Sequence, residues 1–209
     1  MSLKNATILF VIFLNFGCKI KNVESHIENR NVIVKKDDDA YLKRLDKKIN
    51  EINSYVENKN VYNKEIAFLL DMKISSGKNR FFVVDLRNKK IIKKGLVAHG
   101  YGSNILNSDS LQFSNVPNTM ATSIGKYRIR NSYYGKFGKS YKLNGLDISN
   151  SKALERNIVL HSYKDVPEKE VDGAICLSKG CPMVSFGYFK EIEGLIDSSN
   201  RSILMYVYY

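Results

Sequence analysis

Tryptophan is absent from this 209-residue chain, and histidine and cysteine occur three times each. Each scarcity narrows the chemistry. Three histidines (His26, His99, His161) and three cysteines (Cys18, Cys176, Cys181) offer no set of four Cys or His ligands at the spacing of a structural zinc site, so no metal is expected. No long apolar stretch follows the first twenty residues, which leaves no internal membrane span. Acidic residues are few, 21 against 33 basic ones, and the net charge of +12 favours anionic partners such as membrane head groups or acidic wall polymers. Nucleic acid is not expected among them, because no basic block is interleaved with aromatics; Lys, Asn and Ile are simply abundant throughout. No internal repeat occurs. The hydrophobic fraction of 44% is that of a globular protein.

The N-terminus carries Lys4, then the short apolar run "ATILFVIFLNF" (Ala6 to Phe16), then Gly17 and Cys18. Such a run reads as the core of a secretory signal rather than a mature span. A small residue before a cysteine fits a bacterial lipoprotein signal over residues 1–18, cleaved before Cys18, with lipid on that thiol. Leu14 lies one place further from the cysteine than the usual pattern has it, and Asn15 is polar. An ordinary signal peptide cut elsewhere and an uncleaved anchor stand as alternatives. All three place the folded part outside the cytoplasm, in the cell envelope. The lipoprotein reading puts it in the periplasm, anchored to a bacterial membrane. There a Cys176–Cys181 disulfide is permitted, although it would close a very small loop and restrain little of the unfolded chain.

Residues 19 to about 38 are polar and charged and read as a tether. From Ala40, the residues Leu42, Leu45, Ile49, Ile52 and Val56 recur at steps of three and four, which predicts a stalk helix docking on the domain rather than a coiled coil. The expected organisation is signal (1–18), tether and stalk (19–58), and catalytic domain (59–209). A second helical pattern covers Val61 to Met72. "RFFVVDL" and "KIIKKGLVAHG" flank Arg87-Asn88-Lys89 as a β-hairpin. Further strands are expected at Lys126–Arg130, Tyr141–Leu143, Asn157–His161 and Ile203–Tyr208, with a short helix at Gly187–Ile196. "HGYGSNILNSDS" and "NSYYGKFGKS" read as loops. The sum is a mainly β domain with a few short helices.

The stretch "AICLSKGCPMVSFG", Ala174 to Gly187, raises the functional question. Cys181 could be a disulfide partner, a metal ligand, a core thiol or a nucleophile. A nucleophile must ionise, which requires a nearby base, normally a histidine held by a third group. His161 ends the apolar strand "NIVLH" twenty residues before the cysteine. Gly180 allows a tight turn and leaves amides open to a substrate. Ser178 could brace that turn through its hydroxyl, and Pro182 fixes the backbone beyond it. On residue chemistry alone, nucleophile and buried core thiol stand level.

"NIVLHS" followed by "SKGCP" resembles the L,D-transpeptidase catalytic domain, the YkuD-like fold, and more closely its murein L,D-transpeptidase subgroup. The subgroup's pattern is similar to "FFVVDL…GLVAHGYGS", "FSN", "TSIGKYRI", "YYGKFGKSYKLNGLD" and "SKGCP", in this order, over roughly Arg80 to Tyr209. The resemblance implies a YkuD-like β-sandwich or barrel. It implies Cys181 as nucleophile, His161 as general base, the Ser162 carbonyl as the group orienting the imidazole, and the Gly180 and Cys181 amides as an oxyanion hole. Ser178, Lys179 and His99 are expected at the substrate, with His99 alternatively a hydrogen-bonded core histidine. Lys179 replaces a frequent His, and Pro182-Met183 replaces the usual Ile/Val-Arg, which leaves the holder of the substrate carboxylate to Lys179 or another base. The implied reaction is acyl transfer from peptidoglycan stem peptides through a thioester, without cofactor or metal, ending in a cross-link or in release of D-alanine by water. A monomer is expected. Cys176 is expected to be a packing thiol in the strand before the loop, "ILMYVYY" a closing strand, and Tyr133, Tyr134 and Tyr141 sheet residues or stacking platforms. A papain-like hydrolase would need Gly-x-Cys-Trp upstream of its histidine; here His precedes Cys and tryptophan is missing. The non-enzymatic alternative is an envelope lipoprotein that binds wall or surface polymers with the same fold.

Overall fold

The computed structural model describes residues 40–209, which form one compact unit. The signal, the tether, Cys18 and His26 lie outside the described residues. A helix over residues 40–56 (α1) is followed by β1 (Tyr62–Asp71), β2 (Phe81–Asp85), β3 (Lys90–Gly95), β4 (Gly125–Gly135), β5 (Gly138–Gly145), β6 (Val159–Ser162), β7 (Met183–Val184), α2 (Phe186–Asp197) and β8 (Ser202–Tyr208). Among the described residues no helix is long and apolar enough to cross a membrane. The strands make an eight-stranded sheet in the order β3-β2-β1-β8-β4-β5-β6-β7.

The core follows from the two-residue period of a strand. In β1, Ala67 and Leu69 point to one face and Phe68 and Leu70 to the other; Phe82 and Val84 oppose Phe81 and Val83 in β2 in the same way. One face buries Leu45, Ile49, Ile52 and Val56 of α1. The other buries Tyr188, Phe189 and Ile192 of α2. The apolar stripe of α1 is thus in the core, except Leu42, which is 42% exposed. The unit that carries the site therefore begins at Ala40, earlier than the boundary expected at residue 59.

Two sequence expectations are corrected. The stretch Val61 to Met72 holds strand β1 (Tyr62–Asp71), paired antiparallel to β2 and parallel to β8, not a helix. Its second half is covered on both faces, so the run "AFLL" is apolar at successive positions and carries no alternation to betray a strand. "NSYYGKFGKS" is a hairpin rather than a loop: β4 and β5 pair up to Gly135↔Gly138, with Lys136 and Phe137 at the turn and Gly138 at φ +74°. Residues 130–136 stand out in solvent, which accounts for the glycine-containing, loop-like composition of the hairpin's tip.

The hairpin β2–β3 and the helix α2 form where the periodicity places them. Ser185 caps α2 by accepting the Tyr188 N–H. After β3 the chain crosses to the far edge of the sheet, where Ala98 bridges Met183 of β7. The two sheet edges are therefore joined by three residues, at most about 10 Å of chain, and the sheet is rolled.

If α1 is part of the core, Ile52→Ala should lower unfolding stability by about 2–5 kcal/mol, whereas Leu42→Ala on the same helix should stay within about 0.5 kcal/mol. Urea denaturation followed by circular dichroism reads the difference; equal small effects would show that α1 is only an appended stalk.

Candidate active site

The chain from residue 172 to 182 has no regular strand, and non-local bonds hold it. Ser178 N–H donates to the His99 carbonyl at 2.8 Å, and Tyr101 N–H donates to the Ser178 carbonyl at 2.9 Å. Ser178 Oγ accepts the Gly180 N–H at 3.0 Å, closing a small turn. Gly180 sits at φ +111°, and a Cβ there would lie 3.0 Å from the Ala121 carbonyl oxygen and 3.3 Å from Arg156 Nη2. Gly100 is equally constrained: a Cβ would lie 2.2 Å from the Met120 carbonyl and 2.8 Å from Gly180 Cα. The "HGYG" and "SKGC" segments thus touch backbone to backbone, which only glycine permits.

β6 carries His161 and pairs in parallel with β7, His161↔Met183 and Ser162↔Val184. His161 N–H donates to the carbonyl of Pro182, the residue next to Cys181, at 3.4 Å. Histidine and cysteine chains therefore run side by side. The imidazole is buried, and its Nδ1 lies 3.0 Å from the Ser162 carbonyl. A carbonyl only accepts, so the proton is assigned to Nδ1 and the lone pair to Nε2. Phe137 from the β4–β5 turn stacks on the ring at 4.1 Å and 17°. Burial pushes the imidazole pKa below its ordinary value, and the bond to Ser162 offsets part of this.

Cys181 is partly buried against the main core. Its Sγ accepts the Val159 N–H at 3.5 Å and donates to the Asn157 carbonyl at 3.8 Å. Burial raises the thiol pKa, while the Val159 N–H and the Arg156 guanidinium draw it back. A thiol and a neutral imidazole are thus the resting pair, and they make no direct hydrogen bond. Among the described residues the Cys181 N–H has no partner, whereas the Gly180 N–H, expected to be open, is taken by Ser178. Cys176 and Cys181 are free thiols. Cys176 packs beside Ile175 and Met183, as expected of a packing thiol, but in irregular chain rather than a strand.

Ser178 and His99, expected at the substrate, are buried and turned to structural partners instead. Arg80 Nη2 donates to His99 Nδ1 at 2.8 Å, so His99 Nε2 carries the proton and donates to Asn104 Oδ1 at 2.7 Å. Burial and the Arg80 cation lower the His99 pKa and keep the ring neutral. Arg80 also donates to the carbonyls of Val97 and Ile74. Lys179 is exposed at the rim.

Arg156, Arg80 and Phe137 are site residues that sequence reasoning missed. Arg156 precedes Asn157, which takes φ +54° and ends a turn in which Ile158 N–H bonds the Ala153 carbonyl and Asn157 N–H the Leu154 carbonyl. That turn aims the Asn157 carbonyl at the thiol and sets Arg156 against Gly180. Among the described residues no cluster of three or more His, Cys, Asp or Glu gathers to hold a metal ion. An open depression of about 570 Å³ lies elsewhere, lined by Lys47, Asn50, Glu51, Ser54 and Tyr55 of α1 and Lys126 of β4, and includes none of these residues.

No protein of curated function matches the chain. Solved structures similar to it include an L,D-transpeptidase from Mycobacterium smegmatis (10% identity, TM-score 0.41, covering 69% of this chain and 59% of that one). An Enterococcus faecium L,D-transpeptidase mutant is 12% identical (TM-score 0.41, 69% and 50%). The helical cell shape determining protein Pgp2 from Campylobacter jejuni is 10% identical (TM-score 0.41, 76% and 54%). The chain spans between half and three-fifths of the length of these structures. The family model described as L,D-transpeptidase catalytic domain matches residues 36–208, all but the last residue of the compact unit, and the chain belongs to that family.

Proposed function

We propose that this protein is a cysteine acyltransferase acting on peptidoglycan stem peptides. The observation that carries the reading is the parallel register of β6 and β7, which sets His161 beside the chain of Cys181 with its Nδ1–H directed at the Ser162 carbonyl. At rest the thiol donates to Asn157, so catalysis begins with a rotation of the Cys181 side chain toward Nε2. His161 Nε2 takes the thiol proton. Sγ attacks the carbonyl of the bond between an L and a D residue of the stem, and the open Cys181 N–H meets the resulting oxyanion. The C–N bond breaks, His161 returns the proton to the leaving D-alanine amine, and a thioester remains on Cys181. An amine of a second stem resolves it to a cross-link; water resolves it to a trimmed stem. Lys179, exposed beside the turn, is available to the substrate carboxylate. The reading includes a periplasmic, monomeric enzyme held by lipid on Cys18.

Incubation with a carbapenem should add one acyl mass to Cys181, and Cys181→Ala should abolish both the adduct and any change in muropeptides, a loss of at least about 10³-fold. A folded wild type that forms no adduct, with wall binding unaffected by Cys181→Ala, would instead establish the non-catalytic wall-binding lipoprotein. That alternative draws on the neutral, backbone-bonded thiol.

His161 acts as a base only when neutral, so its pKa sets the acid limb of activity. Phe137 covers the ring and burial holds that pKa low. In Phe137→Ala the imidazole gains solvent, its pKa rises toward about 6.5, and the acid limb of kcat/KM moves to higher pH. An acid limb unchanged in this variant would remove His161 as the titrating base.

A further inference from the structure

Arg156 lies outside every motif that carried the functional reading, yet its guanidinium packs against the nucleophile's turn. Nη1 donates to the Ser114 carbonyl at 2.7 Å and Nη2 to the Ala121 carbonyl at 2.5 Å. Those bonds fix the head group 3.3 Å from where a Gly180 Cβ would stand. Two of its five N–H groups are used, and the side chain is only partly buried.

We propose that Arg156 is a positioning residue for Cys181: clamped on the Ser114 and Ala121 carbonyls beside Gly180, its guanidinium supplies the fixed positive charge that stabilises the thiolate. The inference rests on the acyl-transfer reading for its purpose, but its geometry does not. The site needs such a charge because the Gly180 amide is spent on Ser178, leaving the Cys181 amide as the open donor of the turn. Burial opposes ionisation of the sulfur; the Val159 N–H bond favours it, and after that bond Arg156 is the neighbouring cation that opposes burial. The other ionisable groups near Cys181 do not substitute for it. Tyr127 of β4 is buried, bonded to Ser123 and pushed up to about 12, so it stays neutral; His161 of β6 is held neutral by burial; Lys179, on the cysteine's own loop, is exposed. The clamp also explains Gly180 itself, since any side chain there would displace the guanidinium or the Ala121 carbonyl.

The test is the pH dependence of Cys181 alkylation by iodoacetamide, resolved by peptide mass spectrometry so that other thiols do not contribute. Thiolate displaces iodide, so the rate follows ionisation whether or not the protein turns over peptidoglycan. Removing an opposite charge at this range should move the half-ionisation pH of Cys181 up by about one unit in Arg156→Met, slowing alkylation about tenfold below it. Arg156→Lys, which keeps the charge, should give a profile nearer the wild type. Where Arg156→Met loses the wild-type circular dichroism, Arg156→Gln is read in its place, since its amide can still bond a carbonyl without charge. A neutral variant that is folded and titrates like the wild type overturns the proposal, as does a Lys variant shifted as far as the neutral one. A carbapenem adduct that fails while the alkylation shift appears would count against the transferase reading alone.

Discussion

Two residue pairs carry the site. β7 is only Met183–Val184, and its parallel pairing with β6 puts the cysteine and imidazole chains in one frame. So short a ladder persists because its surroundings hold it. Ala98 N–H bonds the Met183 carbonyl from one side at 2.8 Å, and β5 pairs with β6 from the other. The chain then enters α2 directly, whose Tyr188, Phe189 and Ile192 sit in the core. The Glu168 carboxylate secures that junction, accepting the Ser185 hydroxyl at 2.6 Å and the Gly187 N–H at 2.8 Å. Cys181 is thus tied downstream to a buried helix and upstream to the His99 segment.

This rigidity has an electrostatic consequence. Burial moves the thiol and the imidazole away from each other in proton affinity, so the resting pair is neutral rather than ionic. A neutral pair tolerates the apolar wall formed by Phe137, whereas an ion pair there would require further donors. In the proposed reaction charge would appear only as a proton moves, next to groups the fold already holds in place: the Ser162 carbonyl at the imidazole, the open Cys181 amide, and Arg156 clamped beside Gly180.

Much of this was legible in the sequence, but unevenly. The mainly β class, the stripe of α1, the β2–β3 hairpin, α2 and β8 follow from local periodicity, and the family follows from several ordered motifs. β1 did not, because a strand buried on both faces loses the alternation that identifies it. The β4–β5 hairpin was hidden for the opposite reason: apart from Phe137 on the His161 ring, its outer half is exposed, so its composition is that of a loop. The sequence left His99 between a substrate contact and a hydrogen-bonded core histidine and gave Ser178 both a bracing and a substrate role, because motif membership does not distinguish a contact from a brace; the bonds to Arg80 and Gly180 are those of braces. Arg156 carries no such mark, being one of 33 basic residues. Its neighbours Ser114, Ala121 and Gly180 are distant from it in sequence, and the first two belong to the irregular chain between β3 and β4, where Ser114 N–H bonds the Thr122 carbonyl.

The same bonds explain why α1 belongs to the compact unit. Arg44 of α1 pairs with Asp71 at 2.9 Å, and the Asp71 side chain is wholly buried at the end of β1. Asp71 in turn acts electrostatically on Arg80, supporting a buried cation whose pKa burial draws down to about 9. Arg80 fixes the His99 ring, and the His99 carbonyl holds Ser178 of the nucleophile turn. Each buried charge in this series is tolerable only because the next one is present, since an isolated one would be strongly destabilising. A helix that supplies the first member of such a series is packed as part of the compact unit: its removal would take the Arg44 partner from the buried Asp71 carboxylate, leaving it the Lys73 N–H, at the base of the brace beneath the cysteine loop.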